Sequence, residues 1–172
     1  LNRKVNENIK KNAKFILDNA LKDLNKIKHI RPKAYSIIGL YNYYKSYKSH
    51  DLLEKIKKLA NDLIRAYKKN SNENWNWFEE SITYSNGTIP ESLFLAYEST
   101  GDKKFLDVAQ KSLGFLTNLI IIDNKLVPVG HNGWYNKGER RAFYDQQPID
   151  ASAMVQAYMT AFNVTKDKSY FD

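Results

Sequence analysis

The 172 residues read as an all-α chain, an α/α toroid or a partial toroid or arc of about three helical hairpins, with one small β-hairpin in a rim loop. Three observations carry that reading. Apolar residues recur at helical spacing along most of the chain. Segments with one wet face alternate with segments that are apolar all round, as two concentric layers require. Inner helices meet neighbours on both sides and outer helices meet only the inner layer, whereas a plain four-helix bundle would make every helix one-faced. A weak repeat is also present: Ser36…Tyr41 and Ser92…Tyr97 share a spacing, and Thr100-Gly101-Asp102 is echoed by Thr165-Lys166-Asp167, so the repeating unit is one helical hairpin.

Ile9, Ala13, Ile16, Leu17, Ala20, Leu21 and Leu24 predict a first helix over Val5 to Ile27, with a lysine-rich outer face. Pro32 in a first turn opens a second, over which Ala34, Tyr35, Ile37, Ile38, Leu40 and Tyr41 leave scarcely any polar side; burial all round is expected. The third, Asp51 to Lys69, carries one stripe of Leu52, Ile56, Leu59, Ala60, Leu63, Ile64 and Tyr67. Thr88-Ile89-Pro90-Glu91 has the form of a capping box and starts a fourth helix with an apolar body from Leu93 to Tyr97. Gly101 ends it and Asp102 caps the fifth, striped by Phe105, Leu106, Ala109, Leu113 and Leu116. Leu119 to Val129 reads as a β-hairpin turning at Asp123-Asn124. Pro148 opens a sixth helix with no broad polar face, and Asp167 caps a seventh that the chain end interrupts.

The chain is 42% hydrophobic, which fits one globular domain over residues 1–172. It contains no cysteine, so disulfides and thiolate metal sites are excluded. No apolar run approaches the ~20 residues of a membrane span, and no leader pattern is visible; a cytoplasmic location is the expectation. Residues 1–69 carry 18 Lys+Arg against 6 Asp+Glu and residues 70–172 carry 9 against 13, so the halves differ in sign. The lysines fall on polar helix faces without interleaved aromatic rings, which argues for a solvated outer face and against nucleic acid. The start at Leu1 and the stop near a new helix lead to the expectation of a longer parent protein, whose further hairpins would close the ring. Failing that, two copies would pack their uncovered apolar flanks together as a homodimer.

Connections in an up-and-down helical array alternate between its ends. The two long ones, about 70–88 and 123–148, therefore share an end with Lys28–Arg31. All three tryptophans, Trp75, Trp77 and Trp134, lie in those two loops beside Tyr84 and Tyr135. Amphipathic rings suit the C–H faces of sugars, and Asn86, His131, Gln146 and Gln147 supply the polar groups that hydroxyls need. Glycosidic cleavage generally takes two carboxyl groups, for which Glu79 or Glu80 as acid and Asp145 as base are the candidates. The inner helices start at this end, so their dipoles would keep Asp145 or Asp150 ionised. Structural roles compete with each assignment. Asp145 and Asp150 fit helix caps, Glu91 fits its capping box, Glu79 and Glu80 fit loop charges, and the tryptophans fit a plug in the open end. His131 has no second His or Cys nearby, so a metal site is not expected there; no cofactor is expected. Asn86-Gly87-Thr88 matches a glycosylation sequon that a turn explains equally well.

Several ordered motifs accompany these residues: Trp77-Phe78-Glu79-Glu80-x-x-Thr83-Tyr84-x-Asn86, Pro90-Glu91 with Thr100-Gly101-Asp102, Pro128-Val129-Gly130 with Gly133-Trp134-Tyr135, and Asp145-Gln146-Gln147-Pro148-Ile149-Asp150-Ala151. Together they resemble a prokaryotic six-hairpin-glycosidase-like family often encoded beside, or joined to, glycosyltransferases. The resemblance spans about Trp75 to Asp172; residues 1–69 share only the helical pattern. It implies an α/α toroid with its pocket among the same loops, and a carbohydrate ligand. Where that family has Asp-Asn-Ala-Arg, this chain has Ser85-Asn86-Gly87-Thr88, losing an Asp and an Arg. The expectation is thus a glycoside-hydrolase-like domain. A non-catalytic glycan-binding or scaffold module partnering a glycosyltransferase is the first alternative, and a helical-repeat module gripping protein or nucleic acid through its basic half is the second.

Overall fold

The computed structural model describes residues 5–171. Among them run six α-helices: α1 (Glu7–Lys22), α2 (Ile30–Ser46), α3 (His50–Asn70), α4 (Thr88–Thr100), α5 (Lys103–Ile120) and α6 (Pro148–Thr165). Short 3₁₀ turns follow α1 at Leu24–Lys26 and α6 at Lys168–Tyr170. Four two-residue strands form two antiparallel pairs, β1 (Ser81–Ile82) with β4 (Tyr135–Asn136) and β2 (Ile121–Ile122) with β3 (Lys125–Leu126). The fold is mostly helical, and among the described residues no helix is long and apolar enough to cross a membrane.

α2, α4 and α6 lie side by side with α4 in the middle, while α3 backs α2 and α4, and α5 backs α4. This placement explains the burial patterns. α4 has neighbours on every side and buries each residue from Thr88 to Ala96. α3 buries its whole predicted stripe, Leu52 through Tyr67, and presents its lysines to water. α5 does the same with Phe105, Ala109, Leu113 and Leu116. Burial all round is not what α2 and α6 show. Tyr35 on α2 is 49% exposed, and Val155 and Met159 on α6 are 56% and 58% exposed, because each of these helices has α4 on one flank and open solvent on the other. α1 departs further: it ends at Lys22, with the N–H of Asp23 turning back to Ala20 and Leu21. It buries no residue, and Phe15 and Ile16 are largely exposed, so its apolar stripe joins the core only through Leu21 and, just beyond the helix, Leu24.

The helix ends repeat as the sequence does. Gly101 and Lys166 both take the left-handed conformation, at φ +71° and +61°. Thr100 and Thr165 each donate to the carbonyl four residues back, Ala96 and Ala161, at 2.7 Å. Each hydroxyl also accepts the N–H of the following aspartate, at 3.3 Å for Asp102 and 3.2 Å for Asp167. Asp102 then caps α5 through Lys104 N–H, but Asp167 caps only a 3₁₀ turn through Ser169 N–H. The predicted β-hairpin is present, with Asp123 and Asn124 at φ +50° and +57°, the signature of a type I′ turn. The capping box at Thr88 is not. Gly87 precedes the helix with no side-chain cap. The preceding turn feeds directly into α4 through Thr88 N–H to Ser85 O (3.2 Å) and Ile89 N–H to Asn86 O (3.2 Å). Glu91 is thereby released from capping and lies buried at 8% exposure.

Candidate functional site

The link before α2 and the two long loops meet at one end of the array, as the alternation of connections predicts. β1 from the first long loop pairs with β4 from the second, Ser81 opposite Asn136 and Ile82 opposite Tyr135. Lys137 fastens the seam, its N–H donating to Glu80 O at 2.8 Å and its Nζ to Asn70 O at 2.7 Å. In the second loop Gly130 crosses the returning segment so closely that a Cβ there would lie 2.2 Å from Tyr144 O. Arg141 reaches the carbonyls of Leu119, Val127 and Pro128 and ties the β2–β3 hairpin to this loop; burial pulls its pKa down.

Arg31, in the first turn of α2, organises the centre. It is 8% exposed, and its guanidinium donates in three directions: Nη1 to Glu79 Oε2 (2.6 Å), Nε to Tyr84 O (2.7 Å) and Nη2 to Asn86 Oδ1 (3.0 Å). It also lies 5.0 Å from the centroid of the Tyr84 ring. Asn86 passes the network inward, its Nδ2 donating to Thr83 O (3.0 Å) and to Asp150 Oδ1 (3.3 Å). Asp150, from the first turn of α6, is buried, and its Oδ2 has no hydrogen-bond partner among the described residues. Burial pushes its carboxyl up, against the opposing pull of the Asn86 and Ser85 N–H groups and the Arg31 charge. Ser85 itself is fully buried at φ +49° and accepts from the Tyr35 hydroxyl at 3.1 Å. The sequon asparagine is therefore a structural hub.

The rim is aromatic. Tyr84 is 44% exposed, and its ring centroid lies 6.2 Å from that of Trp134, which in turn stacks on His131 at 4.2 Å and 27°. Gln147, the N-cap residue of α6, closes the row by hydrogen bonding His131 Nδ1 at 2.6 Å. Trp134 is held in position by a left-handed backbone (φ +56°) and by the bond from its N–H to Gly130 O.

Several expected site residues take other places. Trp75 and Trp77 are 3% and 0% exposed and belong to the core. Trp75 stacks edgewise on Phe115 and Tyr135, and its Nε1 donates to Glu79 O at 2.8 Å. Their loop folds under the layer, because indole rings of this size gain more from burial than from exposure to water. Tyr135 likewise leans inward against Trp75. Glu80 is exposed and engaged only through its backbone. Asp145 is exposed at φ +60°, and it is its carbonyl that is bound, by His131 N–H at 3.1 Å. Asp145 caps no helix, and no hydrogen bond or ion pair among the described residues joins it to Glu79 or Glu80. Gln146 is exposed and folds back on Phe143 O at 3.0 Å.

Arg31 and Asp150 are the members that the sequence reading did not select as site residues. A signal for Arg31 exists: a cation in the first turn of an apolar helix opposes the helix dipole and needs a local anion to offset it. No protein-family model and no curated protein matches this chain.

Proposed function

We propose that the loop end of this helical array is a carbohydrate-binding surface, and that the array is a segment of an α/α toroid in which α2, α4 and α6 form the inner layer and α3 and α5 the outer. The observation that carries the ligand class is the row in which the half-buried Trp134 sits between the exposed Tyr84 and His131, flanked at one end by the Arg31–Glu79 ion pair and at the other by Gln147. Two amphipathic rings side by side match the C–H faces of adjoining sugar units, and charged and amide groups at their edges match the hydroxyls.

Binding without turnover is the form of this reading with the better support. Hydrolysis needs two carboxyl groups facing one bond, whereas Glu79 is committed to Arg31 and Asp145 is tied through its carbonyl to His131, at the other end of the row. A glycan-binding module serving a glycosyltransferase fits this arrangement. A polyanion-gripping role has less support, since the lysines of α1 and α3 lie on polar helix faces without interleaved aromatic rings, and some are engaged in local pairs such as Lys10–Glu7, Lys14–Asp18 and Lys57–Glu54.

Trp134 makes the test direct, because the other two indoles are buried. Titrating a panel of oligosaccharides should shift the tryptophan emission saturably, and Trp134→Ala should abolish the shift. Reducing-end assays on the same panel should show no turnover. Absence of saturable binding to any glycan would overturn the reading, and turnover sensitive to Glu79→Gln would restore the hydrolase.

A further inference from the structure

Away from the aromatic row, a cavity of about 460 Å³ opens between α2, α4 and α6. Glu91 lines it and is 8% exposed, with Oε2 lacking a hydrogen-bond partner among the described residues. A buried carboxyl oxygen left unpaired is uncommon enough to need an explanation. The capping role that the sequence offered for it is gone. The facing groups do not satisfy it. Tyr41 donates instead to Glu98 at 2.7 Å, and Thr160 lies close enough to draw the Glu91 pKa down only in part against burial, which pushes it up to about 7.

The remaining lining narrows what would satisfy it. An anion is repelled by Glu91 and Glu98 together. Lys45 and Lys166 balance those two carboxylates and would repel a second positive charge on a ligand. At the cavity mouth Asn42, Thr160 and Asn163 offer amides and a hydroxyl that a plain alkylamine would not engage and a hydroxylated ligand would. A neutral sugar could meet the amides but brings no charge to the buried carboxyl. We infer that this cavity is a second ligand site, independent of the loop surface, for a small hydroxylated monoamine of the amino-sugar class. Its ammonium pairs with Glu91, and its hydroxyls meet Asn42, Thr160 and Asn163.

Calorimetry on the whole chain at pH 7 with D-glucosamine, D-glucose and N-acetyl-D-glucosamine tests this. Glucosamine should bind at least tenfold more tightly than glucose, and the acetylated sugar, which has lost the charge, should behave like glucose. Pairing ionises Glu91, so glucosamine binding should release a proton, read as a heat that differs between phosphate and MOPS buffers. Glu91→Gln should erase the preference for the amine, and Asn163→Ala, at the exposed rim, should weaken glucosamine binding without affecting the fold. Trp134→Ala should leave it unchanged, which separates this site from the aromatic row. Equal affinity for the three sugars, no glucosamine binding, or a preference that survives Glu91→Gln or is lost in Trp134→Ala would overturn the proposal.

Discussion

Arg31 and Glu79 stand 48 residues apart in the sequence and 2.6 Å apart in space, and through that ion pair the first turn of α2 anchors the loop that carries Tyr84. The guanidinium is buried, and of its three acceptors Asn86 Oδ1 also takes the Thr83 N–H at 3.3 Å. Removing one partner of a buried charged pair leaves the other uncompensated. Arg31→Ala should therefore cost about 3–5 kcal/mol in urea unfolding. Arg31→Lys should recover only part of this, because an ammonium cannot reproduce the three-way fork. A loss below ~1 kcal/mol for the alanine variant would mean that the network contributes little.

The tryptophans separate stability from recognition. Trp77→Ala empties a fully buried site and should destabilise the chain by about 3–5 kcal/mol. Trp134→Ala should cost little stability yet remove glycan binding. Paired thermal melts and sugar titrations check both, and the reverse pattern would place the recognition surface elsewhere.

Glycine substitutions should split by sign. A Cβ on Gly87 would lie 2.4 Å from Ala153 O, where the start of α4 presses on α6, so Gly87→Ala should destabilise by about 1–3 kcal/mol. Gly114, in α5, has open space around its Cβ position, and Gly114→Ala should stabilise by about 0.5–1 kcal/mol through helix propensity and lower unfolded-state entropy. Differential scanning calorimetry of the two variants reads the contrast; shifts of the same sign would contradict the close approach of α4 and α6.

Stability should fall as pH rises through neutrality. The Glu91 carboxyl, near 4.5 when unfolded, is pushed up to about 7 by burial, and burial raises Asp150 as well. Between those limits the folded state binds more protons than the unfolded one. The stabilisation is therefore complete below about pH 4.5 and is lost as pH climbs through 7. For Glu91 the full swing is on the order of 3 kcal/mol. Urea midpoints from pH 5 to 8 should show the decline, and Glu91→Gln should flatten it. A profile indifferent to that substitution would assign the dependence to another group.

The outward flank of α6 should drive self-association. Val155 and Met159 are more than half exposed and lie four residues apart on one helical face. Sedimentation should reveal concentration-dependent assembly that Val155→Lys with Met159→Lys removes; an unaltered monomer at all concentrations would show that this flank is too small to associate.

The helices, the β2–β3 hairpin turn, the repeated Thr-x-Asp ends and the meeting of the long loops at one end were legible in the residues, because periodicity, left-handed turn chemistry and the parity of connections are local or topological properties of the chain. Which faces are covered was not legible. The apolar periods of α2 and α6 resemble that of α4, yet only α4 has helices on both flanks. Trp75 and Trp134 both sit in loops, where no period tells a core-facing ring from an exposed one, and only the folding of the first loop beneath the β1–β4 seam separates them. Arg31 meeting Asn86, and Asn86 meeting Asp150, join partners 55 and 64 residues apart. Glu91 changed from a cap to a buried, unpaired acid because the turn before α4 supplied the helix start in its place. Burial and long-range pairing depend on what the rest of the chain brings alongside, and only the tertiary structure decided them.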